Sequence, residues 1–139
     1  MLSGNIPSFQ SSLERLDLSH NSLHGVIPDQ ITELVNLYVL DLSYNQLNGS
    51  IPSSIDQLLK LQQLLLSENT LCGSIPSGSI PLGITIYLSN LDLSYNMLTR
   101  LVPSDLLSHP NLLTIDLSFN NLEGSIPVNV SNHCVEKST

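Results

Sequence analysis

A chain of 139 residues is long enough for one domain, and its 41% apolar content can fill a core, so a disordered chain is not expected. Twelve acidic against four basic residues give a formal charge of -8, which repels phosphate backbones and anionic headgroups and excludes nucleic acid as an expected partner. No stretch approaches the roughly 18 consecutive apolar residues of a membrane span. The first ten residues also lack the basic start and apolar block of a signal peptide.

In chain order, Leu2, Gly4, Ile6 and Pro7 fit the second half of a repeating unit, so residues 1–12 read as a partial repeat. Five full units of the form LxxLxLxxNxLxGxIP then begin at Leu13, Leu37, Leu61, Leu88 and Leu112, at intervals of 24, 24, 27 and 24 residues. The opening Leu residues of each unit, such as Leu37, Leu40 and Leu42, end in period-two alternation. This predicts a strand about five residues long with Leu pointing inward. An Asn follows at each turn, at Asn21, Asn45, Asn69, Asn96 and Asn120. An inward amide can satisfy backbone groups left unpaired by the bend, so the five are expected to form a ladder.

One more inward Leu follows (Leu23, Leu47, Leu71, Leu98, Leu122), and then Gly25, Gly49, Gly73 and Gly124, where glycine suits a bend. The fourth unit carries Arg100 at this place, and a local distortion is expected there. The pairs Ile27-Pro28, Ile51-Pro52, Ile75-Pro76, Val102-Pro103 and Ile126-Pro127 place a buried branched residue before a proline that stops ladder pairing. The short interval that remains suits one helical turn, of the α or the tighter 3-10 kind. Three extra residues between Pro76 and Leu88, where GSIP recurs at 78–81, predict a loop bulging from the convex side. The repeats are taken to fill residues 1–128, with an irregular tail over 129–139.

No unit can bury its own Leu set, but stacked units share one core and pair their strands. The expected architecture is an α/β solenoid, a curved stack with a parallel sheet on its concave face and short helical or 3-10 turns and loops on its convex face.

The segments LDLS at Leu16–Ser19, Leu40–Ser43 and Leu91–Ser94, with the variant Ile115–Ser118, resemble the plant-specific leucine-rich repeat class. The LDLSxNxLxGxIP form is similar to the ectodomains of receptor-like proteins and receptor-like kinases, and to secreted polygalacturonase inhibitors. The resemblance covers the chain from Leu2 to about Val128. It implies a right-handed solenoid and a non-enzymatic scaffold that recognises a protein or peptide, with a co-receptor as a further partner, in defence or developmental signalling. The alternative it implies is an inhibitor of a cell-wall-degrading enzyme. A third reading, ice binding, would need a regular row of matched Thr or Asn, and the outward columns are too mixed. The resemblance places the chain at the outer face of the plasma membrane or in the apoplast if a signal peptide precedes it, and otherwise in the cytoplasm. Without the cysteine-paired caps of such proteins, the chain reads as a fragment whose apolar ends would favour self-association.

Outward strand positions are expected to line the concave face. One column holds His20, Tyr44, Glu68, Tyr95 and Phe119, and its aromatics could anchor a ligand or simply cover the Leu layer beneath. Further candidate contacts are Tyr38, Gln63, Asn90 and Thr114, among a varied set that also holds Val39. Asp17, Asp41, Asp92 and Asp116 form another column, interrupted by Leu65. Carboxylates about 4.8 Å apart on neighbouring strands would raise one another's pKa values, but an open sheet suits a solvated face better than calcium or acid–base chemistry. No residue is assigned to catalysis, a metal or a cofactor. Asn48 and Asn129 head N-glycosylation sequons, and Cys72 and Cys134 are read as free thiols too far apart to pair.

Overall fold

A computed structural model describes residues 1–76 and 87–124, and the backbone of Cys134–Glu136. The expected loop at 78–81, the Ile126-Pro127 pair and the Asn129 sequon lie outside the described residues.

Each repeat contributes two strands. The first set comprises β2 (Arg15–Asp17), β4 (Val39–Asp41), β6 (Gln63–Leu65), β8 (Asn90–Asp92), β10 (Thr114–Asp116) and β12 (Cys134–Glu136). These pair in parallel, in sequence order, as one six-stranded sheet. The central residues Leu16, Leu40, Leu64, Leu91 and Ile115 lie in register and are all buried. The strands are three residues long rather than five, because the chain turns away immediately after each Asp or Leu65.

The second set is β1 (Ser3–Gly4), β3 (Ser22–Val26), β5 (Gln46–Ser50), β7 (Thr70–Ser74), β9 (Met97–Leu101) and β11 (Asn121–Glu123), which forms a second six-stranded parallel sheet. Sequence reasoning expected a single sheet. The backbone between the ladder Asn and the Ile-Pro pair is also extended, and its N–H and C=O groups need partners that only the adjacent repeats can supply. After Pro28, Pro52 and Pro103 comes one helical turn: 3-10 at Asp29–Glu33 and Ser53–Gln57, and α1 at Ser104–Leu107. The proline fixes its own φ and withholds an N–H that a first helical turn would leave unpaired anyway.

The core is a lattice of aliphatic columns. Leu37, Leu40, Leu42 and Leu47 of one repeat stack with Leu61, Leu64, Leu66 and Leu71 of the next, closed from the helical side by Ile31, Leu34, Leu58 and Leu106. Burying one such side chain is worth about 1.5–3 kcal/mol, and no repeat covers its own set.

The amides after the sheet strands join the layers. Asn69 Nδ2 donates to the Leu66 and Ser67 carbonyl oxygens of its own turn (3.2 Å each) and to Leu42 O of the preceding repeat (3.0 Å), while its Oδ1 accepts from Leu47 N (2.9 Å). Asn45, Asn96 and Asn120 repeat the pattern with Leu18, Leu66 and Leu93 as the preceding-repeat acceptors. Asn21, in the first full repeat, bonds its own turn through Leu18 O and Ser19 O and accepts from Leu2 N.

Arg100 does not distort its repeat. It takes φ 74°, within the 73–81° range of Gly25, Gly49, Gly73 and Gly124, and β9 keeps its pairing with both β7 and β11. The lattice dictates the backbone, and the side chain accepts a left-handed conformation that disfavours it. The tail expected to be irregular carries β12, in register with β10 through Thr114 and Cys134, Ile115 and Val135, and Asp116 and Glu136. Val135 stands where a Leu was sought, only 20 residues after Ile115, and so escapes a 24-residue template. The other end of this sheet is β2, which carries exposed Arg15 and Asp17, paired at 3.3 Å.

Candidate recognition surface

The outward face of the first sheet is built by the Asp-Leu-Ser segments. In Asp41-Leu42-Ser43 the carboxylate Oδ1 accepts from the Ser43 amide (3.0 Å) and hydroxyl (2.6 Å), an Asx turn that ends the strand. Asp17 with Ser19 and Asp92 with Ser94 do the same, and Asp116 Oδ1 accepts from Ser118 N at 2.9 Å. These carboxylates are strand-terminating caps rather than a purely solvated row. The expected upward shift is reversed at Asp17. Its pKa is lowered, first by the Ser19 hydroxyl and then by the Ser19 amide, against a small desolvation effect and with Arg15 also lowering it. A local hydrogen bond at 2.7 Å outweighs a like charge one strand away across solvent.

The turn that follows is left-handed. His20, Tyr44, Glu68, Tyr95 and Phe119 all have φ between 52° and 54°, beyond the strand ends rather than on the strands where sequence reasoning placed them. The first four are tied to the next repeat by the backbone, as in Tyr44 N to Ser67 O (2.9 Å) and Glu68 N to Ser94 O (3.1 Å), and Phe119 O accepts from Asn96 N of the preceding repeat (3.2 Å). Equal φ at equal places aligns the side chains, and the rings stack along the solenoid axis. His20 lies on Tyr44 with centroids 4.3 Å apart and planes 13° apart, and Tyr95 on Phe119 at 4.1 Å and 16°. Tyr44, Tyr95 and Phe119 remain 44–50% exposed, so they offer ring surface to solvent while held by stacking.

The remaining candidates fall on the strands or just before them. Thr114 donates to Asn90 Oδ1 across neighbouring strands (2.7 Å), and Gln63 is half-buried beside Asn90 in register. Val39, counted among the outward positions, is buried between Arg15 and Gln63 and adds no contact surface. Tyr38 lies at the opposite margin of the sheet from the stacked rings. With Glu14, Asn36, Lys60, Gln62 and Tyr87 it lines an open groove of about 400 Å³, in which Lys60 Nζ donates to Asn36 Oδ1 at 2.7 Å. Lys60 and Tyr87 were not singled out from the sequence, because both precede the strand-forming part of their repeats. Asn48 is exposed on β5 of the second sheet, and Cys72 is exposed on β7 with a free thiol. Among the described residues no group of three or more His, Cys, Asp or Glu gathers where an ion could be held, and no helix is long and apolar enough to cross a membrane.

Family comparison matches a leucine-rich repeat description to residues 11–71, and a second to residues 87–108 and 111–133. No curated protein matches. Among solved structures, the Arabidopsis receptor kinase HAESA, in complex with the peptide hormone IDA and the co-receptor SERK1, is 32% identical with a TM-score of 0.78; the match covers 96% of this chain and 24% of that one. The BIR3–SERK2 complex from Arabidopsis thaliana is 35% identical with a TM-score of 0.72, over 89% of this chain and 69% of that one. A plant ice-binding protein is 34% identical with a TM-score of 0.75, over 96% of this chain and 46% of that one. The chain thus spans about a quarter of the HAESA chain it matches and under half of the ice-binding chain.

Proposed function

Because this chain belongs to the leucine-rich repeat family, in the form found in plant receptor ectodomains, we propose that it is a recognition scaffold whose first-sheet face binds a protein or peptide. The reading rests on one observation: a rigid Leu lattice holds pre-ordered, half-exposed aromatic rings on one open face, so contact area is offered at little further entropic cost. Contacts would come from Tyr44, Tyr95, Phe119 and His20 on one margin, Tyr38 on the other, and Gln63, Asn90, Thr114 and Glu68 between or beside them.

Peptide and co-receptor complexes among the relatives support partners of the same kind here, and the likeness to the BIR2 and SOBIR1 ectodomains supports placement outside the cell. On that placement Asn48 would carry its glycan on the second sheet, clear of the recognition face. Ice binding gains nothing from the shared fold. The exposed residues that open the second-sheet strands include Gln46, Thr70, Met97 and Asn121, which form no matched row. Nothing found favours the enzyme-inhibitor alternative.

The test is binding to a synthetic peptide array by the wild-type chain, a Tyr44→Ala/Tyr95→Ala/Phe119→Ala variant, and a control with exposed Val35 replaced by Ala away from both sheets. Peptides retained by the wild type and the control but lost by the triple variant, with unchanged circular dichroism, are expected. Equal retention by all three would overturn the proposal.

A further inference from the structure

Glu68 interrupts the aromatic column, and its surroundings differ from those of the aspartates on this face. Asp17, Asp41, Asp92 and Asp116 spend an oxygen on the serine two residues on, whereas among the described residues Glu68 makes only backbone hydrogen bonds, through Asn45 N to its carbonyl and its own N to Ser94 O. It occupies the same turn place as Tyr44 before it and Tyr95 after it, with the same left-handed φ of 54°. Successive repeats at this turn lie about 4.8 Å apart, so Tyr44 and Tyr95 flank a notch about 10 Å wide with a carboxylate at its centre.

The stacks fix which surfaces bound the notch. Tyr44 turns one ring face to His20 and Tyr95 turns one to Phe119, with planes nearly parallel in both pairs, so the second face of each tyrosine looks toward the Glu68 place. A flat cation seated there would lie within about 6 Å of both rings, the range over which the ring quadrupole attracts it, and would meet the carboxylate edge-on. The charge around the notch is complementary. Asp41 and Asp92 lie on the adjacent strands and Asp116 one strand further, while the sheet's one described cation, Arg15, pairs with Asp17 at 3.3 Å.

We infer that the Glu68 notch is a seat for a basic side chain of the peptide partner, a guanidinium in particular, sandwiched between Tyr44 and Tyr95. The inference rests on the recognition reading above and names the chemistry of what that face takes. A guanidinium is planar, weakly hydrated and able to stack on aromatic faces while donating in plane, which the notch geometry rewards more than it rewards an ammonium.

The probe is a capped Gly-Gly-Arg-Gly-Gly peptide, with citrulline in place of arginine as the neutral isostere, titrated while the four tyrosine ring resonances are followed by NMR. Tyr44 and Tyr95 should shift with the arginine peptide, and both the citrulline peptide and Glu68→Gln should weaken binding at least fivefold. Asp105→Asn, which removes the same charge from exposed α1, should leave it unchanged. Equal weakening by Asp105→Asn would mean diffuse attraction and overturn the seat, as would undiminished binding by Glu68→Gln. A response confined to Tyr38 and Tyr87 would overturn the seat while leaving a peptide-binding face. Silence of all four rings beside retained array binding would do the same.

Discussion

Asn69 donates to the carbonyl oxygen of Leu42, 27 residues earlier, at 3.0 Å, and by that bond one repeat is fastened to the one before it. The same amide group accepts from Leu47 N and donates twice within its own turn, so a single buried side chain satisfies backbone atoms of two layers. Removing it strands these groups where water does not reach.

Asn69→Ala should therefore cost about 1–3 kcal/mol, read as a lowered urea midpoint. Asn21→Ala should cost less, because among the described residues Asn21 donates to no carbonyl of an earlier repeat, and it is only half-buried. Equal losses would mean that the donation to the preceding repeat's carbonyl contributes nothing.

Arg100 lies at a place where the other described repeats have glycine. Its left-handed backbone costs an L-residue about 1–2 kcal/mol, and glycine would give back about 0.5–1 kcal/mol of that through its greater freedom when unfolded. Arg100→Gly should raise stability by about 0.5–1 kcal/mol in the same denaturation experiment. Gly49→Ala should do the reverse, since at φ 73° an added Cβ would stand 2.9 Å from Val26 Cγ1. A stability loss in Arg100→Gly would show that its side chain contributes contacts exceeding the strain.

The Asp17 carboxyl titrates below the usual range, with the Ser19 hydroxyl as the largest cause. A folded-state pKa below the unfolded value stabilises the fold fully above that unfolded value of about 3.9, and this contribution is lost as pH falls through the lower, folded-state pKa. Ser19→Ala should move the NMR midpoint of Asp17 upward, and should narrow the acid window over which this contribution is lost. An unmoved midpoint would assign the shift to the Ser19 amide, which the substitution keeps, ahead of Arg15.

Much of the architecture was legible because the repeat states its own geometry five times. Leu40, Asn45 and Gly49 each stand at a spacing that one strand, one inward amide and one left-handed residue explain. The second sheet was missed because its strands carry at most one buried Leu each, such as Leu47 in Gln46–Ser50, too few for period-two alternation to register. The groove beside Tyr38 was missed for a different reason. Lys60 and Tyr87 precede their strands, and only the stacking of separate repeats brings them to one margin.

The sequence by itself determined the family, the parallel stack, the inward Leu columns and the Asn places, since each follows from a local period that short-range sterics and burial translate directly. The tertiary structure alone decided that the Asp-Leu-Ser carboxylates are strand caps, that Arg100 adopts a glycine's backbone, and that His20 faces Tyr44 while Tyr95 faces Phe119 around Glu68. Those outcomes depend on torsions at single residues and on distances between residues some 24 positions apart, which stacking imposes and no local pattern encodes.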